Sequence, residues 1–276
     1  MAKNYEIAIR PQKGWIPFNV RELWDYRDLL FFLVWRDIKV KYKQTILGVT
    51  WAILQPLITM ILFSLIFGKL AHIPSDGVAY PLFAYSGLLL WNYFSSTLST
   101  TANSLVANSN LITKVYFPRL IIPAGAALSG MLDLFISSFF FIGMLSYFHA
   151  SPHISLIVAG PLLLVMVFWV AVGCGLWISA LNVEYRDFQH VIPFLIQIWM
   201  FATPVIYPAS LIPERFRWLI YLNPICGYIE AFRSATIGNR PFNWTSLTFS
   251  VIITAMILIS GLFYFRKVER FFADII

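Results

Sequence analysis

Charge is what this sequence has least of. Only 12% of its 276 residues are Asp, Glu, Lys or Arg, where a soluble domain carries roughly a quarter. With 59% hydrophobic and 17% aromatic residues, the chain has too little polar material to face water as one globule, and a bundle of membrane spans buries it more simply. Cysteine is nearly absent: Cys174 lies in an apolar run and Cys226 in a Pro-Ile-Cys-Gly turn, which indicates neither a disulfide framework nor a cysteine zinc site. Histidine is as scarce. His149 and His153 have the i, i+4 spacing of a helical metal pair, but Pro152 lies between them and no third ligand stands nearby, so HASPH reads as a turn and no metal site is expected. His72 and His190 lie at span ends. No Gly-x-x-x-x-Gly-Lys-Ser/Thr occurs, because Gly68-Lys69 runs into Leu70; the chain is not expected to bind ATP by a P-loop, nor to carry a cofactor of its own. The opening MAKNYEIAIRPQKGW lacks the apolar core of a removable signal, so the first span is expected to direct insertion.

What is present is a succession of uncharged runs. Residues 46–68 would reach roughly 35 Å as a helix at about 1.5 Å per residue, enough to cross a hydrocarbon core of about 30 Å. Further spans are read at residues 80–101, 121–148, 155–181, 191–211 and 245–265, giving an all-α, six-span membrane protein. Fifteen of the twenty Lys and Arg residues fall on one side of that arrangement, nine of them before residue 44; Lys69, Arg215, Arg217, Arg233 and Arg240 fall on the other. By the positive-inside rule both termini are cytoplasmic. The formal charge of +7 lies beside apolar runs and forms no arginine-rich block, which suits lipid headgroups and not nucleic acid.

Three segments do not read as simple loops. Residues 21–43 mix Leu23, Tyr26, Leu29, Leu30, Leu33, Val34 and Ile38 with Arg27, Asp28, Arg36, Asp37 and Lys39, as in a helix lying in the cytoplasmic interface with its charges toward water. The chain thus divides into a cytoplasmic segment, 1–43, and a six-span domain, 44–276. Residues 103–116, NSLVANSNLITKVY, are too polar to continue the second span and too apolar for a free loop; a short cytoplasmic helix facing a partner and a frayed helix end both fit. Residues 213–241 hold two short amphipathic pieces separated by Asn223-Pro224. They fit either a hairpin dipping into the outer interface or an extracytoplasmic loop with surface helices.

Within the spans, Asp133 is the one formal charge placed deep in the bilayer, where an aspartate costs about 2.5 to 3.5 kcal/mol and faces protein or water. A structural or cavity-lining role is favoured over proton coupling, since no second acid lies at that depth. Gln55-Pro56, Pro123, Pro193 and Pro204 mark bends, with Gln55 able to satisfy a freed carbonyl. Gly125, Ala126, Ala127, Ser129, Gly130, Gly173 and Gly175 permit close helix contacts, between copies or within one. Most Trp and Tyr residues suit interfacial belts, as do Trp15, Trp24, Trp35 and Trp244. Two dense sets, Trp91, Tyr93, Phe94 and Trp199, Phe201, Tyr207, fit a belt or the lining of a glycan passage, since flat rings suit the apolar faces of sugars. The sequon Asn243-Trp-Thr sits at a span edge and says little.

Four motifs in order carry a resemblance: Lys43-Gln-Thr-Ile-Leu-Gly-Val-Thr-Trp-Ala-Ile-Leu-Gln-Pro; Asn110-Leu-Ile-Thr-Lys-Val-Tyr-Phe-Pro-Arg119; Tyr185-Arg-Asp-Phe running on to Thr203-Pro-Val-Ile-Tyr-Pro; and Leu222-Asn-Pro with Gly227, Glu230 and Arg233. Over nearly its whole length the chain resembles the permease subunits of type-2 ABC polysaccharide exporters, the lipopolysaccharide O-antigen branch in particular. The resemblance implies a transport subunit of the bacterial inner membrane and no enzyme, moving lipid-linked polysaccharide. It implies a homodimer, and two copies of a separate P-loop ATPase that hold ATP and Mg. Residues 21–43 would ride on that ATPase, and residues 103–116 would be the coupling helix, with Asn103, Leu105, Val106, Asn110, Leu111, Lys114 and Tyr116 as contacts. Residues 213–241 would be the outer gate, with Phe216, Trp218, Tyr221, Pro224, Glu230 and Arg233. Glu184, Arg186 and Asp187 would belong to the cytoplasmic connection between spans four and five. Capsular polysaccharide or teichoic acid cargo fits the same pattern. A membrane enzyme of glycan modification fits less well, because its acids would need to cluster and these are scattered, and a secondary transporter would show internal repeats.

Overall fold

The computed structural model describes residues 20–43, 48–150, 152–185, 187–237, 242–269 and 272. Lys3, Arg10, Lys13, Trp15, Arg186, Arg240, Arg270 and residues 44–47 of the first motif lie outside them. All secondary structure among the described residues is helical. In order it runs α1 Val20–Asp25, α2 Arg27–Lys43, α3 Trp51–Phe63, α4 Tyr80–Ala107, α5 Ser109–Lys114, α6 Ile121–Ser129, α7 Met131–Tyr147, α8 Leu156–Glu184, α9 Phe188–Ala202, α10 Arg217–Tyr221, α11 Pro224–Ile237 and α12 Trp244–Val268. A 3₁₀ turn precedes α3 and a π-helical stretch, Ser64–Leu70, extends it. Four rods are long and apolar enough to cross a membrane: Gly48–Leu70, Ile121–Tyr147, Leu156–Glu184 and Trp244–Val268.

The two remaining expected spans depart for separate reasons. Helix α4 is 28 residues long but rich in Ser, Thr and Asn. It sits at the centre of the bundle, against α3, α6, α7, α8, α9 and α11, where protein and not lipid meets its polar groups. Several of those hydroxyls and amides donate back to α4's own carbonyls, Ser86 to Phe83, Thr100 to Ser96, Asn103 to Ser99 and Ser104 to Thr101. Helix α9 stops at Ala202, nine residues short of the expected end, because Pro204 lacks the amide that would continue it. Its 15 residues reach only about 22 Å.

Glycines set the closest approaches. A Cβ at Gly175 of α8 would fall 2.6 Å from Thr101 of α4, and one at Gly261 of α12 would fall 2.6 Å from the Gly173 carbonyl oxygen of α8. Gly125 of α6 faces Leu33 of α2. Gly125, Gly173 and Gly175 therefore each make a close helix contact within the chain. Lys41 of α2 reaches Asp133 of α7, and the eight-residue steps from Leu33 to Lys41 and from Gly125 to Asp133 match. Helix α2 thus runs alongside α6 in the same direction. Its inward side carries Leu30 and Leu33, while Phe31, Phe32 and Trp35 are exposed, so aromatics share its outer surface with the charges expected there.

One further expectation is corrected, and another finds its partners. Pro56 deprives the Ala52 carbonyl, four residues earlier, of its helical donor; the Ser137 hydroxyl of α7 supplies it at 3.0 Å, and not Gln55, whose side chain is exposed. Asp133 lies midway along the rod Ile121–Tyr147 and faces protein, as expected of a charge at that depth. It lies in the first turn of α7, just past the joint at Ser129 and Gly130, and accepts from both Lys41 and Tyr42. Asn243, the sequon residue, caps α12 by accepting from the Ser246 amide at 3.2 Å.

Ser137→Ala leaves a carbonyl at the Pro56 bend without a donor and should cost about 1–3 kcal/mol. Thermal unfolding of the detergent-solubilised protein checks this: a melting temperature equal to that of the parent would mean that the bend does not depend on Ser137.

Candidate functional site

One side of α4 opens onto a groove of about 850 Å³. Its floor is the row Asn92, Ser95, Ser96 and Ser99, half-buried residues at the i, i+3, i+4, i+7 spacing that places them on one helical face. Gln55 and Pro56 of α3, Ser137 of α7, and Pro193 and Ile196 of α9 form its walls, and Lys41, Tyr42 and Asp133 line it as well. Such a row of neutral hydroxyls and amides can exchange hydrogen bonds with a polyhydroxylated molecule without trapping it on a charge. The two walls are barely buried. Ile58, Ile61 and Leu62 of α3 and Val191, Phe194, Leu195 and Ile198 of α9 are exposed, so the groove is half an enclosure with apolar rims.

The aromatic candidates separate here. Tyr93, itself buried, lines the groove. Trp91 and Phe94 are buried, the Phe94 ring standing edge-on to Trp199 at 4.9 Å. Phe201 is exposed at the end of α9, and its carbonyl accepts from the Tyr207 hydroxyl at 3.1 Å. The sequence reading missed Asn92, Ser95, Ser96 and Ser99, although their periodicity within an apolar run was a usable signal.

At the far end of α4 lies a buried cation. Arg233 of α11 is 7% exposed. Its guanidinium donates to the carbonyls of Pro204 at 2.6 Å, Val205 at 2.7 Å and Phe83 at 3.2 Å, and to the Ser86 hydroxyl at 3.3 Å, while lying 3.7 Å from the Phe83 ring centroid. A Cβ at Gly87 would meet it at 2.6 Å, so glycine is what admits the guanidinium to α4. The carbonyls it holds belong to the non-helical stretch after α9. Asn223, at the turn before α11, donates to the Thr203 hydroxyl at 2.9 Å, tying the same stretch from a second point. Helix α11 is consequently buried against α4, α8 and α12. Of the six hairpin residues, Pro224 and Arg233 are buried and Glu230 is half-buried. Phe216 and Trp218 are exposed, and Tyr221 stacks on Phe249 at 6.0 Å.

A family model described as ABC-2 type transporter matches residues 28–237. The chain belongs to the ABC-2 transporter membrane family. It is 28% identical over 249 residues to an O-antigen export system permease protein RfbA of Klebsiella pneumoniae, covering 90% of this chain and 95% of that one. To an RfbA of Myxococcus xanthus it is 30% identical over 227 residues, 80% of this chain and 85% of the relative. To the polysialic acid transport protein KpsM of Escherichia coli it is 25% identical over 241 residues, 85% and 91%.

In this ABC-2 chain, residues 103–116 do not form one helix. Asn103, Leu105 and Val106 belong to the last turn of α4, and the separate helix is α5. Leu105 is fully buried and Ile112 and Phe117 nearly so, with Val106 and Leu111 half-buried; Asn110, Lys114 and Tyr116 are exposed, as is Val115. Asn182 of α8 donates to the Ala102 carbonyl at 3.2 Å and the Asn103 side chain at 3.1 Å, fixing the turn to the end of α8. Glu184 lies two residues on, and its carboxylate, hydrogen-bonded to Tyr185, holds that phenol above its usual range. Nearby, the Arg119 amide donates to Glu269 at 3.3 Å, bringing the base of α6 to the end of α12, two segments that the charge count had assigned to the same side. Among the described residues no three His, Cys, Asp or Glu side chains gather.

Arg233→Met should leave the Pro204 and Val205 carbonyls without donors, at about 1–3 kcal/mol for each, and Arg233→Lys should fall between it and the parent. Thermal unfolding with limited proteolysis measures both effects; cleavage at residues 203–208 should rise in step with the loss of stability, and an unchanged Arg233→Met protein would remove the arginine from this role.

Proposed function

We propose that this chain is the membrane subunit of an ATP-driven exporter of polysaccharide, of the O-antigen or capsular kind, in the bacterial inner membrane. The observation that carries the reading is the groove on α4. It is a neutral polar floor between two exposed apolar rims, in a chain whose relatives at 25–30% identity are named as O-antigen and polysialic acid transport proteins. A hydrated glycan needs such a floor, and a rim of exposed Ile, Leu and Phe needs a cover other than water.

A second copy of the chain, set about a two-fold axis, provides that cover and turns two half-grooves into a tunnel. Six spans follow if α4 crosses as the inner helix and α9 crosses together with the stretch at residues 203–208. The arginine that meets the carbonyls of that stretch supports this, since non-helical backbone persists at membrane depth only when protein satisfies it. Both termini then face the cytoplasm, membrane lipids contact the outer faces of α7, α8 and α12, and residues 213–241 stand at the outer mouth as its gate.

The chain has no P-loop, so ATP and Mg belong to a separate ATPase, in two copies. Such a partner drives the permease only by binding its conformations with different affinity. Asn110, Lys114 and Tyr116 are the exposed contacts for it, and α2 is the second. Leu105, being buried, tests the fold and not the docking.

Two experiments test the reading. Deleting the gene should leave glycan accumulated inside the cytoplasmic membrane, whereas normal delivery with one ligation or acylation step lost would favour an enzyme. Replacing Lys114 and Tyr116 by Glu should cut capture of a soluble P-loop protein by at least tenfold without lowering the melting temperature; undiminished capture would take α5 out of the interface.

A further inference from the structure

Helices α8 and α12 advance side by side in one direction, since Gly173 meets Leu258 and Gly261, and Trp177, one turn on, meets Ser260 and Tyr264. Beside that seam lies a second groove, of about 780 Å³. Trp177 forms its α8 bank. On α12, Met256, Ile259, Phe263 and Lys267 line it at the spacing of a single helical face, all of them exposed. Two charges stand toward one end. Lys267 lies in the last turn of α12. Glu184, two turns beyond Trp177 on the same face of α8, is exposed and close enough to act on Tyr264 electrostatically. We propose that this groove holds one molecule of an amine-bearing phospholipid, its phosphate at Lys267, its ammonium at Glu184 and an acyl chain against Trp177. Such a site is independent of the cargo.

Length and polarity select a lipid. The stretch from Met256 to Lys267 rises about 16 Å, half of a hydrocarbon core of about 30 Å, so the groove has the depth of one leaflet and a charge at its rim. The Trp177 indole donates to the Ser260 hydroxyl at 3.1 Å, and that hydroxyl donates to the Ile257 carbonyl at 3.1 Å. With those polar atoms consumed, the indole stacked on Tyr264 at 4.2 Å presents an apolar shelf to a chain. The headgroup follows from the two charges. Lys267 forms no ion pair among the described residues, whereas its neighbour Arg266 is held by Glu269 at 2.8 Å. A lysine at a span end extends its ammonium to the level of lipid phosphates. Glu184 accepts from Tyr185, which leaves acceptor sites on its carboxylate. That carboxylate repels a purely anionic headgroup and completes a charge-assisted hydrogen bond with a primary ammonium. A trimethylated ammonium has no proton to donate, so phosphatidylethanolamine fits better than phosphatidylcholine or phosphatidylglycerol. The site lies at the end of the bundle where Asn182 meets α4 and α5 follows, which is the cytoplasmic leaflet in the proposed orientation.

The test titrates the full chain, purified in detergent, with phosphatidylethanolamine, phosphatidylcholine and phosphatidylglycerol of identical acyl chains, and reads bound lipid by native mass spectrometry. The parent should bind the ethanolamine lipid roughly tenfold more tightly than either of the others. Glu184→Gln should bring the ethanolamine lipid down to the choline level while strengthening the glycerol lipid severalfold, and Lys267→Gln should weaken all three. Opposite signs at Glu184 are the signature of a headgroup held between two charges. No preference in the parent, or a preference that survives Glu184→Gln, overturns the site; the parent's preference needs no variant, so the site stays falsifiable even where one fails to fold. The acyl chain is located separately, in phosphatidylcholine nanodiscs holding a small fraction of ethanolamine lipid brominated in its chain. That lipid should quench the fluorescence of the parent more than that of Trp177→Phe, and equal fractional quenching would take the chain out of this groove. None of these outcomes bears on glycan accumulation in the deletion strain, so the lipid site and the exporter reading fail separately.

Discussion

A backbone carbonyl removed from water must find a donor, and in this chain the demand is sharpest at Pro204 and Val205. Helix α9 has ended there and no ladder continues it. Arg233 answers with a planar fork that reaches both carbonyls and still spans to Phe83 and Ser86 of α4. A lysine offers one compact ammonium at that distance and cannot bridge so many separated acceptors. The same need recurs at lower cost elsewhere. Ser137 serves the Ala52 carbonyl beneath Pro56, and Asn182 serves Ala102 at the other end of α4. Each irregular point is a place where a side chain from another helix has been drawn into the backbone's accounts, and so each is also a tie between helices.

Those ties make α4 the axis of the molecule. Its 28 residues span about 42 Å, with the Asn182 contact and α5 at one end and the Arg233 clamp at the other. A push delivered to α5 is transmitted along a rod that Gly175 holds tightly to α8, while Gly173 and Gly261 in turn hold α8 to α12. Helices α4, α8, α11 and α12 form a close-packed block, while α3 and α9, with little of their surface buried, stand beside the groove. The division is physical. Interdigitated glycine contacts resist sliding, whereas an apolar helix held on one side can shift when its neighbour on the other side changes.

Much of this was legible in the residues. Low charge and long apolar runs dictate helices in a bilayer, whereas Pro204, read as a bend inside a span running on to residue 211, instead ends α9 at Ala202. The two short pieces around Asn223-Pro224 appear as α10 and α11. Other readings failed for want of a third dimension. Periodicity cannot tell that Leu105 faces the core while Tyr116, eleven residues on, faces out, because both follow one apolar rhythm. Trp91 and Tyr93, both aromatic and nearly adjacent in sequence, part ways because a helix turns about 100° per residue. The partners of Asp133 could not be named because they lie 91 and 92 residues earlier.

The sequence by itself determined the solvent and the helical class, since each follows from local composition, while proline marked where a helix could bend without saying which of those points would end it. Tertiary structure alone decided which broken backbone groups are satisfied and by whom, which glycines are spent inside the chain, and which face of α4 is left open. Those outcomes depend on atoms brought within 3 Å of one another from distant positions, and no local rule carries that distance.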